Sequence, residues 1–208
     1  MGKGYQSRRE RFRKPRKKVV IVCEGEKTEI NYFNGLKTRY SGVDIIPVPG
    51  GTHPKHIVKY AEERMNSKWS IDFEEGDCIW CAFDVDENTN QDIKDAHEHA
   101  KTKNIQIALS NPCFEIWFLL HYKQIFSQIS RQDVVKELKK FISDYIKNQP
   151  INHLLKGKQD TAIAHAKKLN QIHQNKKTEL ISRESNPSTQ VFDLIEFIQK
   201  ITEMNKKG

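Results

Sequence analysis

The sequence of residues 18–31 is KVVIVCEGEKTEIN, and this stretch sets the fold prediction. Its apolar, β-branched residues 19–23 predict a short buried strand that stops abruptly at Glu24. From Thr28 onward, apolar residues recur at helical spacing, so a helix is predicted to follow the strand directly. Three carboxylates therefore stand at the junction, where solubility does not require them: Glu24, Glu26 and Glu29.

The alternation of strand and helix continues along the chain. Three further apolar runs predict strands, at residues 43–48, 78–85 and 105–109. Between them, a run with apolar residues at helical spacing predicts a helix at residues 54–66, and a polar run predicts one at 90–101. This rhythm predicts an α/β domain with a mainly parallel sheet and right-handed crossovers. We divide the chain into a basic flexible arm over residues 1–18, a core over 19–125 and a helical elaboration over 126–208 packed on the same domain.

The net charge of +8 is concentrated in the first 18 residues. They hold nine of the 35 Lys and Arg residues and one of the 27 acids, which leaves 26 of each sign elsewhere. Such an arm is either a solvated tail or a contact to nucleic-acid phosphates driven by counterion release. The candidate contacts are its basic residues and two later lysines that are otherwise ordinary surface residues: Arg8, Arg9, Arg11, Arg13, Lys14, Arg16, Lys17, Lys18, Lys27 and Lys55.

The composition argues against a membrane or secreted protein. No run approaches the roughly 18 apolar residues of a membrane span, and no apolar signal segment follows the basic start. All four cysteines lie within apolar runs, which favours reduced, buried thiols over a disulfide framework. Cys78 and Cys81 lack a second pair of ligands, so zinc is not predicted. We expect a cytoplasmic protein without a membrane partner.

The third predicted strand ends with Asp84 and Asp86. In an extended chain these side chains point to the same side, roughly 6.5 Å apart. Two carboxylates so close repel each other unless a cation lies beside them, and such oxygen ligands suit Mg²⁺ or Mn²⁺. A D-x-D motif alone also occurs in glycosyltransferases, in Ca²⁺ loops and at solvated strand ends, so it leaves these alternatives open.

A further carboxylate, Glu115, lies in the apolar run NPCFEIWFLLH of residues 111–121. The run predicts a buried helix with Asn111 as its N-cap and Pro112 in its first turn. A buried carboxylate needs helix amides, a basic partner or a metal to compensate it. Because the carboxyl ends of parallel strands meet at one edge, we expect Glu115 near Glu24 and Asp84, which favours a shared metal site over a capping role.

Five motifs, taken in order, are distinctive together. They are Glu24-Gly25, Glu26-Lys27-Thr28-Glu29, Phe83-Asp84-x-Asp86, Asn111-Pro112-Cys113-Phe114-Glu115-x-Trp117 and Asn186-Pro187-Ser188-Thr189. The sequence thereby resembles the RloB family, small Toprim-like proteins of bacterial anti-phage, abortive-infection and restriction-associated loci. The resemblance spans nearly the whole chain from Val19 onward.

The resemblance implies that the core is a Toprim-like (Rossmann-like) catalytic unit, as in topoisomerases, primases and overcoming-lysogenisation-defect nucleases. In that fold the glutamate after the first strand is the active-site glutamate, and the D-x-D motif supplies metal ligands. We accordingly assign catalytic and metal-binding roles, with Mg²⁺ or Mn²⁺ as the ion, to Glu24, Asp84, Asp86 and Glu115. Secondary roles go to Glu26, Glu29 and His121, the last because it lies on the helix of Glu115.

The resemblance also implies an activity and a partner. Relatives in defence systems act beside an ABC-type (AAA) ATPase encoded alongside them, and such systems cleave tRNA or DNA. The acidic set suits this chemistry on its own, because Mg²⁺ polarises phosphoryl oxygens and orients a hydroxide. We expect a Mg²⁺-dependent nuclease that acts on RNA or DNA as the effector of phage defence. The alternative is a non-catalytic Toprim-like module that holds nucleic acid or the partner ATPase.

Overall fold

The computed structural model describes residues 16–37, 39–40, 42–86 and 88–207, with side chains to residue 204. Its sheet contains the strands β1 (Lys17–Cys23), β2 (Val43–Pro49), β3 (Cys78–Asp84), β4 (Ile105–Asn111) and β5 (Ser188–Thr189). The strand order is β2-β1-β3-β4-β5. The first four strands are parallel, and β5 pairs antiparallel with the end of β4. The predicted α/β, Rossmann-like fold with a mainly parallel sheet is therefore confirmed.

Helices cover both faces of the sheet. On one face lie α2 (Pro54–Met65) and α3 (Asn90–Thr102). The other face carries α1 (Thr28–Leu36), α4 (Glu115–Leu120), α5 (Arg131–Lys139), α6 (Asn152–Leu155), α7 (Gln159–Asn175) and α8 (Val191–Lys207). The C-terminal helices thus share a hydrophobic core with the sheet, and none of the helices in the described residues is long and apolar enough to cross a membrane.

Burial of β1 on both faces explains its continuous apolar sequence. Val19, Ile21 and Cys23 pack into the core beneath α1, whereas Val20 and Val22 pack beneath α2 and α3. All five side chains are completely buried. A strand covered by helices on both sides requires apolar residues at every position rather than at alternate ones.

The strand order places a crevice between the ends of β1 and β3. The chain leaves β1 toward β2 on one side and leaves β3 toward β4 on the other. At such a switch point the connections diverge, so the carboxyl ends of the two strands are left uncovered. Glu24 directly follows β1, and Asp84 is the last residue of β3. The two predicted acidic positions therefore meet at the place where sheets of this kind bind ligands.

Two local predictions near the prolines were wrong. The helix expected to start at Asn111 and Pro112 begins instead at Glu115, because β4 continues through Asn111. The Asn111 amide donates to the carbonyls of Ser182 and Arg183, so it ties the strand end to a distant turn rather than capping a helix. The sequence also predicts that the last helix starts near Asn186-Pro187-Ser188, but this segment leads into β5, and α8 starts only at Val191. The peptide bonds before both prolines are cis.

Candidate active site

A cleft of about 430 Å³ opens at the switch point between β1 and β3. Its walls come from the β1–α1 turn, the end of β3, the start of α4 and residues 52, 131 and 147–148. Five carboxylates line it: Glu24, Glu26, Glu29, Asp84 and Glu115. Three of the four carboxylates predicted to form the site are thus brought together, and both secondary glutamates join them.

Glu24 is held against the neighbouring strand. Its backbone N–H donates to the Ala82 carbonyl at 2.9 Å, and its Oε2 accepts from the Asp84 backbone N–H at 2.8 Å. Burial raises the pKa of Glu24 to about 7, and the carboxylates of Glu29 and Asp86 add to the rise, although the Asp84 amide opposes it. Glu24 is therefore a positioned carboxyl that changes charge near neutral pH.

Asp84 has a buried carboxylate with an unsatisfied oxygen. The residue is 6% exposed, and its Oδ1 has no hydrogen-bond partner within the described part of the chain. Burial, followed by the charges of Glu29 and Glu24, raises the pKa of Asp84 well above its usual range. A buried carboxylate oxygen without a partner is costly, so this position favours a ligand that supplies positive charge.

Glu29 enters the cleft from the first turn of α1 and is 6% exposed. Its burial, with the nearby Glu115 charge, raises its pKa, although its own backbone amide and that of Gly25 counteract the rise. Gly25 leaves the space that this carboxylate occupies, because a Cβ at position 25 would lie 2.2 Å from Glu29 Oε2. Glu29 is thus both a helix-start acid and a member of the acidic cluster.

Glu115 lies at the first position of α4 and is 2% exposed. Its Oε1 accepts a hydrogen bond of 3.3 Å from the Tyr145 hydroxyl. Tyr145 comes from the segment after α5, which ends at Lys139. The compensation for this buried carboxylate therefore includes a neutral hydroxyl from a distant segment.

Asp86 departs from the predicted arrangement. The strand ends at Asp84, and Asp86 adopts a φ of 37°, so the two side chains do not follow the alternation of an extended strand. Asp86 Oδ2 accepts a 2.6 Å hydrogen bond from Arg131 Nη1. The other guanidinium nitrogen, Nη2, lies 3.6 Å from Asp84 Oδ2. A side chain from α5 thus bridges the two aspartates.

The carboxylates of the cleft are chemically suited to bind a hard divalent cation. Carboxylate oxygens are the ligands that Mg²⁺ and Mn²⁺ prefer, and the unpartnered Asp84 Oδ1 and the mutual repulsion of the cluster would both be relieved by a cation. The spacing is not yet that of a ligand set, because no group of three His, Cys, Asp or Glu side chains in the described ranges is arranged to hold a metal ion.

His121 lies away from the cleft. It is 3% exposed, packs edge-on against Trp117 and shares a 2.9 Å hydrogen bond between its Nδ1 and the Trp117 carbonyl. Burial lowers its pKa to about 4, so the ring is neutral at physiological pH. The structure thus gives His121 a place in the core beneath α4.

The candidate phosphate contacts divide into two groups. Lys27 lines the cleft, whereas Lys55 is an exposed residue in the first turn of α2 and is not among its described walls. Arg16 pairs with Asp44, and Lys17 and Lys18 belong to β1. The remaining arm candidates lie outside the described residues: Arg8, Arg9, Arg11, Arg13 and Lys14.

Lys18 is occupied by structural contacts. Its ammonium donates to the carbonyls of Trp69 and Ser70 and lies 3.5 Å from Asp77. It also stands at the amino end of β1, whereas Glu24 follows the carboxyl end, about 20 Å away along the strand. The arm therefore joins the domain at the edge of the sheet opposite the acidic cleft.

Sequence reasoning missed Arg131, Lys147 and Asn148, which line the cleft from the C-terminal half. Asn148 binds the start of α1, accepting from the Thr28 hydroxyl at 2.9 Å through its side chain and from the Asn31 amide at 2.8 Å through its carbonyl. For Arg131, the one local sequence signal is Ser130, which caps α5 and so marks Arg131 as a residue of the first helical turn. Nothing in that pattern distinguishes an arginine in a cleft from one on the surface.

Comparison with known proteins gives one match. A sequence model of a family described as RloB-like protein matches residues 19–198, from β1 into α8. No curated protein and no solved structure matches the chain. The match covers the sheet, the acidic cleft and Arg131 together, so the chain belongs to the RloB-like protein family.

Proposed function

We propose that this protein is a Toprim-type nuclease that hydrolyses phosphodiester bonds in RNA or DNA with Mg²⁺ or Mn²⁺. The observation that carries the proposal is the buried, unpartnered Oδ1 of Asp84 in a cleft at the switch point of the sheet. Glu24, Glu29 and Glu115 surround it in the same cleft. Such a concentration of buried negative charge destabilises the fold by itself, which favours a role in binding a cation.

The residues divide the chemistry among them. Asp84, Glu24 and Glu115 would hold the ion, with Asp86 joining when its side chain turns inward. Bound there, the metal would polarise a phosphoryl oxygen and lower the pKa of a water molecule. Glu24, held at the end of the strand by the Asp84 backbone N–H, is placed to accept a proton from the attacking water when it is not a direct ligand.

Basic groups around the cleft supply the contact to the substrate backbone. Lys27, Arg131 and Lys147 line the same cleft as the carboxylates. These basic side chains attract a phosphate, whereas the carboxylates repel it unless a bound cation lies between them. The basic arm would add phosphate contacts independent of base sequence, with an ATPase encoded alongside as the partner and phage defence as the setting.

A cleavage screen tests the proposal. The protein, alone and with the partner ATPase, is incubated with tRNA, plasmid and single-stranded DNA in the presence of Mg²⁺, Mn²⁺ or a chelator. We expect cleavage with metal and none with the chelator. Glu24→Gln and Asp84→Asn should abolish it, whereas Glu98→Gln, on the exposed side of α3, should not. Wild-type cleavage by both site variants would refute the site assignment.

A non-catalytic binding module is the second candidate. The observation in its favour is the contact of Arg131 with both aspartates. This guanidinium balances the charge of the aspartates without a metal ion. Such a module would bind nucleic acid or the ATPase with equal affinity in the presence of metal ions and in the presence of a chelator. The same screen separates the two candidates, because the module would bind the substrates and leave them intact under every condition.

A further inference from the structure

Arg131 is the cation that the two aspartates hold in this structure. Its guanidinium donates to Asp86 Oδ2 at 2.6 Å and lies 3.6 Å from Asp84 Oδ2. It also lines the acidic cleft, and its side chain is 39% exposed. One guanidinium thus takes the position between two carboxylates where a bridging metal ion would be expected.

A metal ion bound to Asp84 would compete with this guanidinium for the charge of the same carboxylate. A divalent ion bound to Asp84 would lie roughly 2.1 Å from a carboxylate oxygen, while Arg131 Nη2 stays 3.6 Å from another oxygen of the same group. Two cations that share one carboxylate in a partly buried cleft repel each other. Arg131 also occupies the carboxylate of Asp86, and the described residues contain no group of three side chains arranged to hold a metal ion.

We propose that Arg131 is a displaceable internal counter-ion that keeps the site in a metal-free resting state. Metal binding requires the guanidinium to release Asp84 and Asp86, after which Asp86 is free to turn toward the ion. The side chain projects from the first residue of α5, so rotation about its own torsions is enough and the helix need not move. The inference rests on the proposed metal-dependent function and adds a regulatory step to it.

Arg183 provides a matched control. Its guanidinium donates to the backbone carbonyls of Asp86 and Asn88, so it contacts the same loop and carries the same charge. Arg183 contacts backbone oxygens of this loop, whereas Arg131 contacts the side-chain carboxylate of Asp86. Replacing Arg183 therefore removes a nearby positive charge and leaves the bridge between the aspartates in place.

The experiment measures Mn²⁺ affinity by isothermal titration calorimetry, without substrate, for wild type, Arg131→Gln, Arg131→Lys and Arg183→Gln. We expect Arg131→Gln to bind Mn²⁺ about tenfold more tightly than wild type, a coupling typical of two competing ligands. Arg183→Gln should bind like wild type, and Arg131→Lys should lie between, because an ammonium cannot make the two-pronged contact. Circular dichroism and thermal unfolding in chelator show which variants fold.

Unchanged or weaker Mn²⁺ binding by Arg131→Gln would overturn the inference. If that variant does not fold, Arg131→Lys decides the matter in the same way, since it too should bind Mn²⁺ more tightly than wild type. A crystal structure with Mn²⁺ in which Arg131 still contacts both aspartates would also overturn it. Equal Mn²⁺ binding by all variants refutes only the counter-ion role of Arg131. If none of the proteins binds Mn²⁺, the proposed metal-dependent function is refuted as well.

Discussion

Glu24 Oε2 accepts a 2.8 Å hydrogen bond from the backbone N–H of Asp84, which joins the residue after β1 to the last residue of β3. The bond fixes one carboxylate beside the other at the switch point. It supplies one favourable contact in a cluster whose members otherwise repel one another.

Glu24→Gln should stabilise the metal-free protein at high pH. The folded pKa of Glu24, about 7, lies above its ordinary value, so its contribution to stability is complete below about pH 4.3 and is lost as the pH rises through 7. The amide of Gln keeps an acceptor for the Asp84 N–H but never becomes charged. We expect a melting temperature about 2–4 °C above wild type at pH 8 and a clearly smaller gain at pH 5, where Glu24 is still protonated in the folded state.

The measurement is thermal unfolding in chelator at the two pH values, with Glu98→Gln as the control on an exposed helix face. An equal difference between Glu24→Gln and wild type at pH 5 and pH 8 would contradict the assignment of the charge penalty to Glu24. Together with the loss of cleavage, a stabilised Glu24→Gln would identify Glu24 as a residue kept for function rather than for folding.

His121 should make the protein less stable as the pH falls below about 6.5. Its folded pKa of about 4 lies below that of an unfolded histidine, so the unfolded state binds more protons between these values. The free energy of unfolding should therefore fall by up to about 1.4 kcal/mol per pH unit in this window. Besides burial, nearby positive groups lower its pKa: Arg39, Lys158 and His165.

Urea unfolding of His121→Gln between pH 4 and pH 7 checks this slope, and His153→Gln, an exposed histidine of α6, is the control. The slope should flatten in His121→Gln and persist in His153→Gln. If the free energy of unfolding of His121→Gln keeps the same pH dependence, other groups cause that dependence.

Gly25→Ala should be destabilising through Glu29. The added Cβ would lie 2.2 Å from Glu29 Oε2, so the carboxylate has to leave its place in the cleft. Because the obstructing atoms are the end of a flexible side chain, we expect a loss of about 1 kcal/mol in the free energy of unfolding, at the low end for overpacking. In a Glu29→Ala background the same substitution should cost much less, because the obstructing atoms are gone. A double-mutant cycle by chemical denaturation measures this coupling, and additive effects would show that Gly25 is required for another reason.

Removing residues 1–15 should weaken binding to nucleic acid and reduce its salt dependence. This deletion keeps Arg16 and the β1 residues Lys17 and Lys18, and removes the five arm candidates before them. For every phosphate that the shortened protein no longer neutralises, the slope of log affinity against log salt should become shallower by about 0.9 on duplex DNA. Fluorescence anisotropy over a salt series measures the slope. An unchanged slope would leave the arm without a role in binding.

The core of the fold was predictable from local patterns. The run of residues 19–23 is apolar at every position because β1 is covered on both faces, and α1 follows it at once. Parallel strands bring their carboxyl ends to one edge, so Glu24 and Asp84 could be placed together before any coordinates. Glu115 was placed correctly for the same reason, although its helix starts later than its proline suggested.

The contacts that complete the cleft could not be predicted in this way. Arg131 reaches Asp86 from 45 residues further along the chain, and Tyr145 reaches Glu115 from 30 residues away. Neither pairing leaves a periodic or compositional signal, because each depends on how α5 and the segment after it pack against the finished sheet. Likewise, β5 is two residues long, too short to show a pattern of its own.

The sequence by itself therefore determined the α/β sheet, the edge at which the carboxylates gather and the family, since these follow from hydrophobic periodicity and short motifs. The tertiary structure alone decided the electrostatic state of the site. It buried Asp84 with one oxygen unpartnered, turned Asp86 outward at a positive φ and set Arg131 between the two. The physical reason is that burial and charge pairing depend on distances in space, which the spacing of residues along one chain does not contain.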